Sequence, residues 1–365
     1  MSFDYRRVIR PEVQALSAYH VEPLPLAGLR AKLDANESPF MLAEALRVDL
    51  AAELTKALAD VELNRYPDPE ARELREVLAR ELGVAPEQIL VTNGSDEAIH
   101  LLLLAVAGPG VGVAAPVPTF IMYELGARVL GLRFTGVPLG AAFDLDPDAF
   151  RRTLESDRPK LVFLAWPNNP TGRLFDAGLV EEIVRRCDGL VVVDEAYTDY
   201  AGKSFLGKLQ AYPNLVILRT LSKIGLAGIR VGMLVGSVGL VEEVNKVRQP
   251  YNMNALSQAV GRVVVRYAEV VRQRAATIVK ERERVLTALQ GRPGVTAYPS
   301  DANFFLMRTD RPGDDVFHAL LSRGILVRNF SRAPHLRNCL RVTIGTRQEN
   351  DLFLSALADV LSHGG

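Results

Sequence analysis

The chain has 365 residues, with 43 basic side chains balancing 43 acidic ones, so it carries no formal net charge. Without a broad positive field to gather nucleic acid or an anionic membrane, the expected partners are small molecules. Cys187 and Cys339 are too few for a disulfide framework or a cysteine-based zinc site, and the five histidines show no paired spacing, so no metal is expected.

The first ten residues lack the apolar core of a secretory signal, and the longest apolar run, residues 101–107, stops at Gly108-Pro109-Gly110 before it could cross a bilayer. A cytoplasmic protein without a membrane span is expected. From about residue 69, amphipathic helices alternate with short runs rich in Val, Ile and Leu. That alternation predicts an α/β fold whose mostly parallel sheet lies between helices. Asp68 predicts a helix cap with Pro69 at the first position; Leu74, Val77, Leu78 and Leu82 share one face, and Gly83 ends it.

Four apolar runs end in polar loops, and in open α/β sheets ligands bind beyond the carboxyl ends of strands. Residues 89–91 lead into Thr92-Asn93-Gly94-Ser95-Asp96-Glu97 and a helix from about residue 98, a terminus whose amides suit a phosphate. Taken alone, an ordinary cap made by Ser95 or Asp96 explains this loop better. Residues 161–165 run into Trp166-Pro167-Asn168-Asn169-Pro170-Thr171-Gly172, a proline-stiffened turn that presents an amide in a fixed direction. Residues 190–193 end in Asp194-Glu195-Ala196-Tyr197, a carboxylate and a phenol at a strand rim. Residues 215–218 lead into a small-residue loop from Arg219 through Thr220, Ser222 and Lys223 to Arg230.

Residues 269–290 repeat apolar positions at helical spacing and predict a long helix bridging two domains. Beyond it the order changes to strand 304–307, helix 315–322, strands 325–327 and 340–344, and helix 349–361, a smaller α+β unit joined by the N-terminal segment. The expected division is a large domain over 36–250 and a small one from 1–35 with 251–365.

Together the four strand ends resemble those of the fold type I pyridoxal-phosphate-dependent aminotransferases, and the resemblance spans residues 19–346. It implies pyridoxal 5'-phosphate as cofactor, with Lys223 holding it covalently and moving a proton, and Asp194 keeping its ring nitrogen protonated. It places Asn169 and Tyr197 on the ring oxygen, Phe120 over the ring face where many relatives carry Tyr, and Ser95, Asp96, Thr220, Ser222 and Arg230 around the phosphate. Tyr66, in Asn64-Arg65-Tyr66-Pro67-Asp68, corresponds to a tyrosine that reaches the phosphate of a neighbouring subunit, which implies a homodimer with shared active sites. The spacing from Lys223 to Arg230 is one residue shorter than the commonest family version.

Flanking stretches are similar to the histidinol-phosphate branch of that family: residues 33–39, 64–68, 301–305, 324–328 and 338–345. The branch implies ping-pong transfer of an amino group between histidinol phosphate and 2-oxoglutarate, with Tyr19, Asn36, Arg328 and Arg341 at the substrate. A guanidinium fork accepts carboxylate and phosphate alike, so one seat serves both substrates. An aromatic-amino-acid aminotransferase and a threonine-phosphate decarboxylase of the same family are the alternatives. A regulator that keeps the fold without turnover would need a DNA-binding extension for which the chain has neither length nor basic surplus.

Overall fold

The computed structural model describes residues 3–16, 28–40 and 48–362; Tyr19 lies outside the described residues. The strands, in chain order, are β1 (Ala31–Leu33), β2 (Ile89–Asn93), β3 (Gly112–Val117), β4 (Arg133–Pro138), β5 (Leu161–Ala165), β6 (Leu190–Asp194), β7 (Leu215–Thr220), β8 (Val231–Val235), β9 (Val295–Ala297), β10 (Phe304–Thr309), β11 (Ile325–Asn329) and β12 (Cys339–Thr343). They form a seven-stranded sheet of order β2-β8-β7-β6-β5-β3-β4 and a five-stranded sheet of order β1-β11-β12-β10-β9.

In the large sheet β3 to β7 pair in parallel, and β8 runs antiparallel between β2 and β7. Alternation along each strand splits its apolar residues between two cores. Val162, Leu164, Val191, Val193 and Ile217 pack on one face with helices Arg72–Leu82 and Ala177–Arg186. Phe163, Val192, Val216 and Leu218 pack on the other with helix Ser95–Val106. Both faces are covered, which is why these strands read as unbroken apolar runs.

The helix expected from Pro69 begins three residues later, at Arg72, after Ala71 in a left-handed conformation (φ 45°). Asp68 still serves as the acceptor at its start, taking the amides of Glu70 at 3.1 Å and Arg72 at 2.8 Å, so the turn closes before the helix does. Gly83, at φ 68°, ends the helix as its sequence position predicts.

β1 lies parallel to β11, which draws the N-terminal segment into the five-stranded sheet. Helix Ala268–Leu289 turns Ala275, Ile278, Val285 and Leu289 into the core of this sheet. Helix Ala255–Val265 falls within the 251–365 span yet contributes Val264 and Val265 to the core of the large sheet and packs Ala259 and Val263 on Leu50. The two cores meet just past the carboxyl end of β6, where Ala196, Tyr197 and Tyr200 join the small-sheet core. Among the described residues, no helix is long and apolar enough to cross a membrane, and no cluster of His, Cys, Asp and Glu could hold a metal ion.

Candidate active site

At that junction lies a cavity of about 630 Å³, walled by the carboxyl ends of β5, β6 and β7 and closed from the other side by β1, β11 and β12. From the large sheet it collects Ser95, Asp96, Phe120, Asn169, Asp194, Tyr197, Thr220, Ser222, Lys223 and Arg230, and from the small sheet side Asn36, Arg328 and Arg341. Residues up to 305 positions apart in sequence thus line one cavity, because the strand orders place β5, β6 and β7 side by side in one sheet and β1, β11 and β12 side by side in the other. Tyr66 is not part of it: the ring is 80% exposed and stacks on Tyr251 with centroids 4.5 Å apart.

Asp194 ends β6 and is buried. One carboxylate oxygen accepts from the Tyr123 hydroxyl at 2.7 Å and the other from the Ala196 amide at 3.1 Å. Burial pushes its pKa up to about 6; the Tyr123 hydroxyl, the Ala196 amide and the Lys223 ammonium oppose that rise, while Asp96 adds to it. Glu195, the first residue past the strand, points the other way, as the alternation of an extended chain continues, and pairs with Arg219 at 2.8 Å.

Lys223 sits in the short turn Ser222–Ile224, with its Nζ 5.8 Å from the centre of the Tyr197 ring. Tyr200 donates its hydroxyl to the Lys223 carbonyl at 2.5 Å, which fixes the backbone that carries the ammonium. The Tyr197 hydroxyl oxygen accepts from the Asn36 amide at 3.0 Å, so its own proton is left to donate elsewhere. Asn36 is itself buried, with φ 55°, and its side-chain oxygen accepts from Thr343 at 3.2 Å. Both ends of that amide are therefore engaged by protein.

Helix Ser95–Val106 starts from Gly94 at φ 77° with no side-chain cap from Ser95 or Asp96; Glu97 takes the Asn93 amide at 2.6 Å instead. The ordinary-cap explanation of this loop is thereby set aside, and the helix start borders the cavity. A side chain at Gly94 would put its Cβ 2.5 Å from Arg230 Nη2, so the glycine lets the guanidinium lie against the turn. Arg230 bonds Asp96 at 2.9 Å and Ser222 at 3.4 Å. The shortened Lys223 to Arg230 loop makes this return through left-handed Gly225 (φ 102°) and Arg230 (φ 52°).

The sequence profile of aminotransferase class I and II matches residues 31–357. The chain belongs to that family. The chain is 45% identical over 360 residues to histidinol-phosphate aminotransferase 1 of Ralstonia nicotianae, covering 96% of this chain and 94% of that one. Histidinol-phosphate aminotransferase 2 of Nitrosococcus oceani is 45% identical over 352 residues, 96% of each chain. Among solved structures, the histidinol-phosphate aminotransferase of Sinorhizobium meliloti in complex with pyridoxal-5'-phosphate superposes with a TM-score of 0.86 at 26% identity, covering 97% of both chains. The α/β fold and the aminotransferase activity expected from sequence both hold.

The donor set of this aminotransferase fits the cofactor. The buried Asp194 carboxylate, raised toward neutrality by desolvation, would be stabilised by a cationic ring nitrogen placed beside it. The helix start, the hydroxyls of Thr220 and Ser222 and the Arg230 guanidinium make an anion seat at one end of the cavity. Asn169 gives its amide oxygen to Arg341 Nη1 at 2.6 Å, which leaves the amide nitrogen as the group it can offer a ring oxygen.

Sequence reasoning missed Tyr123, Thr343 and Asn303. Tyr123 stands three residues after Phe120, in the first turn of helix Met122–Val129, and the two rings meet at right angles. Asn303 donates to the Asn36 carbonyl at 3.0 Å and Thr343 accepts the Asn36 amide N–H at 3.0 Å, contacts made across more than 260 residues and invisible to local pattern.

Proposed function

We propose that this aminotransferase transfers an amino group between L-histidinol phosphate and 2-oxoglutarate, giving imidazole-acetol phosphate and glutamate, as a step of histidine biosynthesis. The observation that carries the reading is 45% identity over 96% of the chain to enzymes of that name. The anion seat made by Arg328 and Arg341 agrees with it: the two face each other as register partners on β11 and β12, at the cavity wall.

Pyridoxal 5'-phosphate is the cofactor, and when bound it withdraws electrons from the substrate's amine-bearing carbon. Lys223 holds it and carries the proton between that carbon and the cofactor through its Nζ, a transfer worth about 10² to 10⁴ in rate. Asp194 anchors the ring nitrogen. Tyr197, its oxygen already engaged by Asn36, directs its phenol proton to the ring oxygen beside the Asn169 amide, while Phe120 covers the ring face. Thr220, Ser222, Arg230 and the amides near Ser95 and Asp96 hold the phosphate. Asn36, assigned to substrate from sequence, serves in this reading to orient Tyr197. Arg341, held by Asn169 and the Asp34 carbonyl, receives the substrate's phosphate or carboxylate.

A half-reaction titration tests the assignment: glutamate and histidinol phosphate should each bleach the cofactor's long-wavelength absorbance. Faster bleaching by an aromatic amino acid than by histidinol phosphate, or release of carbon dioxide, ends it. Arg341→Ala should raise KM for both substrates roughly tenfold to a hundredfold, the worth of a charge-assisted hydrogen bond, with a smaller fall in kcat through the freed Asn169. A larger effect on kcat than on KM would place the arginine elsewhere in the mechanism.

The working unit in this reading is a homodimer in the cytoplasm, of a large domain over 36–250 and a small one from 1–35 with 251–365, save that helix Ala255–Val265 packs with the large domain. Tyr66, exposed beside Tyr251 and apart from its own cavity, is the residue offered to the partner's phosphate. Mixing Lys223→Ala and Tyr66→Ala chains should restore turnover, because a mixed dimer contains one site free of both changes. No recovery on mixing, in a sample shown to exchange subunits, would overturn shared sites.

A further inference from the structure

Tyr123 is fully buried and makes three contacts that converge on the cofactor seat. Its hydroxyl donates to Asp194 Oδ2 at 2.7 Å. Its ring lies parallel to Phe163 on β5, with centroids 4.5 Å apart and an interplanar angle of 3°. It also meets Phe120 edge-on at 5.7 Å and 86°. With the Ala196 amide on the other oxygen, each carboxylate oxygen of Asp194 has one fixed donor, so the carboxylate plane cannot rotate without breaking a bond.

We propose that Tyr123 is a positioning residue that sets the cofactor ring from two sides, aiming the Asp194 carboxylate at the ring nitrogen while its ring edge seats Phe120 over the ring face. The inference rests on the cofactor assignment above and adds a residue to it. Burial drives Asp194 toward its neutral form, in which it would offer the ring nitrogen no negative charge, and the phenol hydrogen bond works against this. The groups that act on Asp194 are Tyr123, Asp96 and Lys223, and Tyr123 in turn feels Tyr197 and Asp96. Burial and the neighbouring carboxylate hold the Tyr123 phenol well above its ordinary pKa, so it stays protonated and remains a donor.

The test uses the holoenzyme loaded with pyridoxal phosphate labelled with ¹⁵N in the ring. In Tyr123→Phe, which keeps the ring stack and removes only the hydroxyl, cofactor affinity should fall about tenfold, the worth of a hydrogen bond to a charged group. The ring nitrogen, read by its ¹⁵N shift across pH, should lose its proton at lower pH than in the unaltered protein. Phe163→Leu, which loosens the same packing without touching the hydroxyl, should lower the melting temperature and leave the nitrogen titration in place. Unchanged affinity and nitrogen titration in Tyr123→Phe would overturn the proposal, as would an equal shift in Phe163→Leu. Failure of the unaltered protein to bind the labelled cofactor would instead overturn the cofactor assignment itself.

Discussion

Replacing Lys223 by alanine is expected to lower turnover by more than about 10⁴-fold, because one ammonium serves both as covalent holder and as proton carrier. The fold should survive the change. Tyr200 grips the Lys223 carbonyl, a backbone atom that alanine retains, and the turn Ser222–Ile224 buries Ser222 rather than the lysine. Thr220 and Ser222, which bond each other at 3.0 Å, stay in place, so the phosphate end should still bind cofactor non-covalently. Single-turnover measurement with glutamate separates these effects. A rate near that of the unaltered enzyme would remove Lys223 from the chemistry.

Asp194→Asn should cost less in rate and reveal more about the site. An ion contact at about 4 Å in an effective dielectric near 20 is worth on the order of 4 kcal/mol, so the loss in kcat should be about 10³-fold. Stability should move the opposite way in cofactor-free protein. The Asp194 pKa rises from 3.8 unfolded to about 6 folded, so the folded chain binds the proton more tightly than the unfolded chain does. The stabilising contribution of the protonated acid is therefore complete below about pH 4 and lost as pH rises through 6, a change of about 3 kcal/mol. Above pH 6, cofactor-free Asp194→Asn should resist urea better than the unaltered chain, with the difference shrinking toward pH 4. Saturating cofactor should erase the advantage, since a ring cation opposite the carboxylate offsets its burial. Equal stability of the two proteins at pH 8 without cofactor would mean that the carboxylate is not stranded as the geometry indicates.

The same residue shows where local pattern stops. Asp194 and Glu195 are adjacent acids at the end of an apolar run, and either fits a strand-end anchor. Strand alternation sends one into the cavity and the other to Arg219, and only the sheet's register says which is which. The helix at Ser95 is a second case: its residues permit an ordinary side-chain cap, yet none is made, and Glu97 instead reaches back to the Asn93 amide ahead of the helix, its carboxylate also accepting from Asn252 at 2.8 Å. The antiparallel β8 is a third, because Val231–Val235 is as apolar as its parallel neighbours and its direction depends on the short loop that returns through Arg230.

Short-range chemistry by itself determined the alternation of strands and helices, the lysine loop, the proline-stiffened asparagine turn and the acid at a strand end, since each is written in consecutive residues whose spacing sets local backbone geometry. Tertiary structure alone decided that Tyr123 bonds Asp194 across 71 positions, that Asn36 is held by Thr343 across 307, and that Tyr66 stands apart from the cavity of its own chain. The physical reason is that hydrogen bonds between distant side chains depend on strand order and on the packing of two cores. Neither leaves a periodic mark in the sequence.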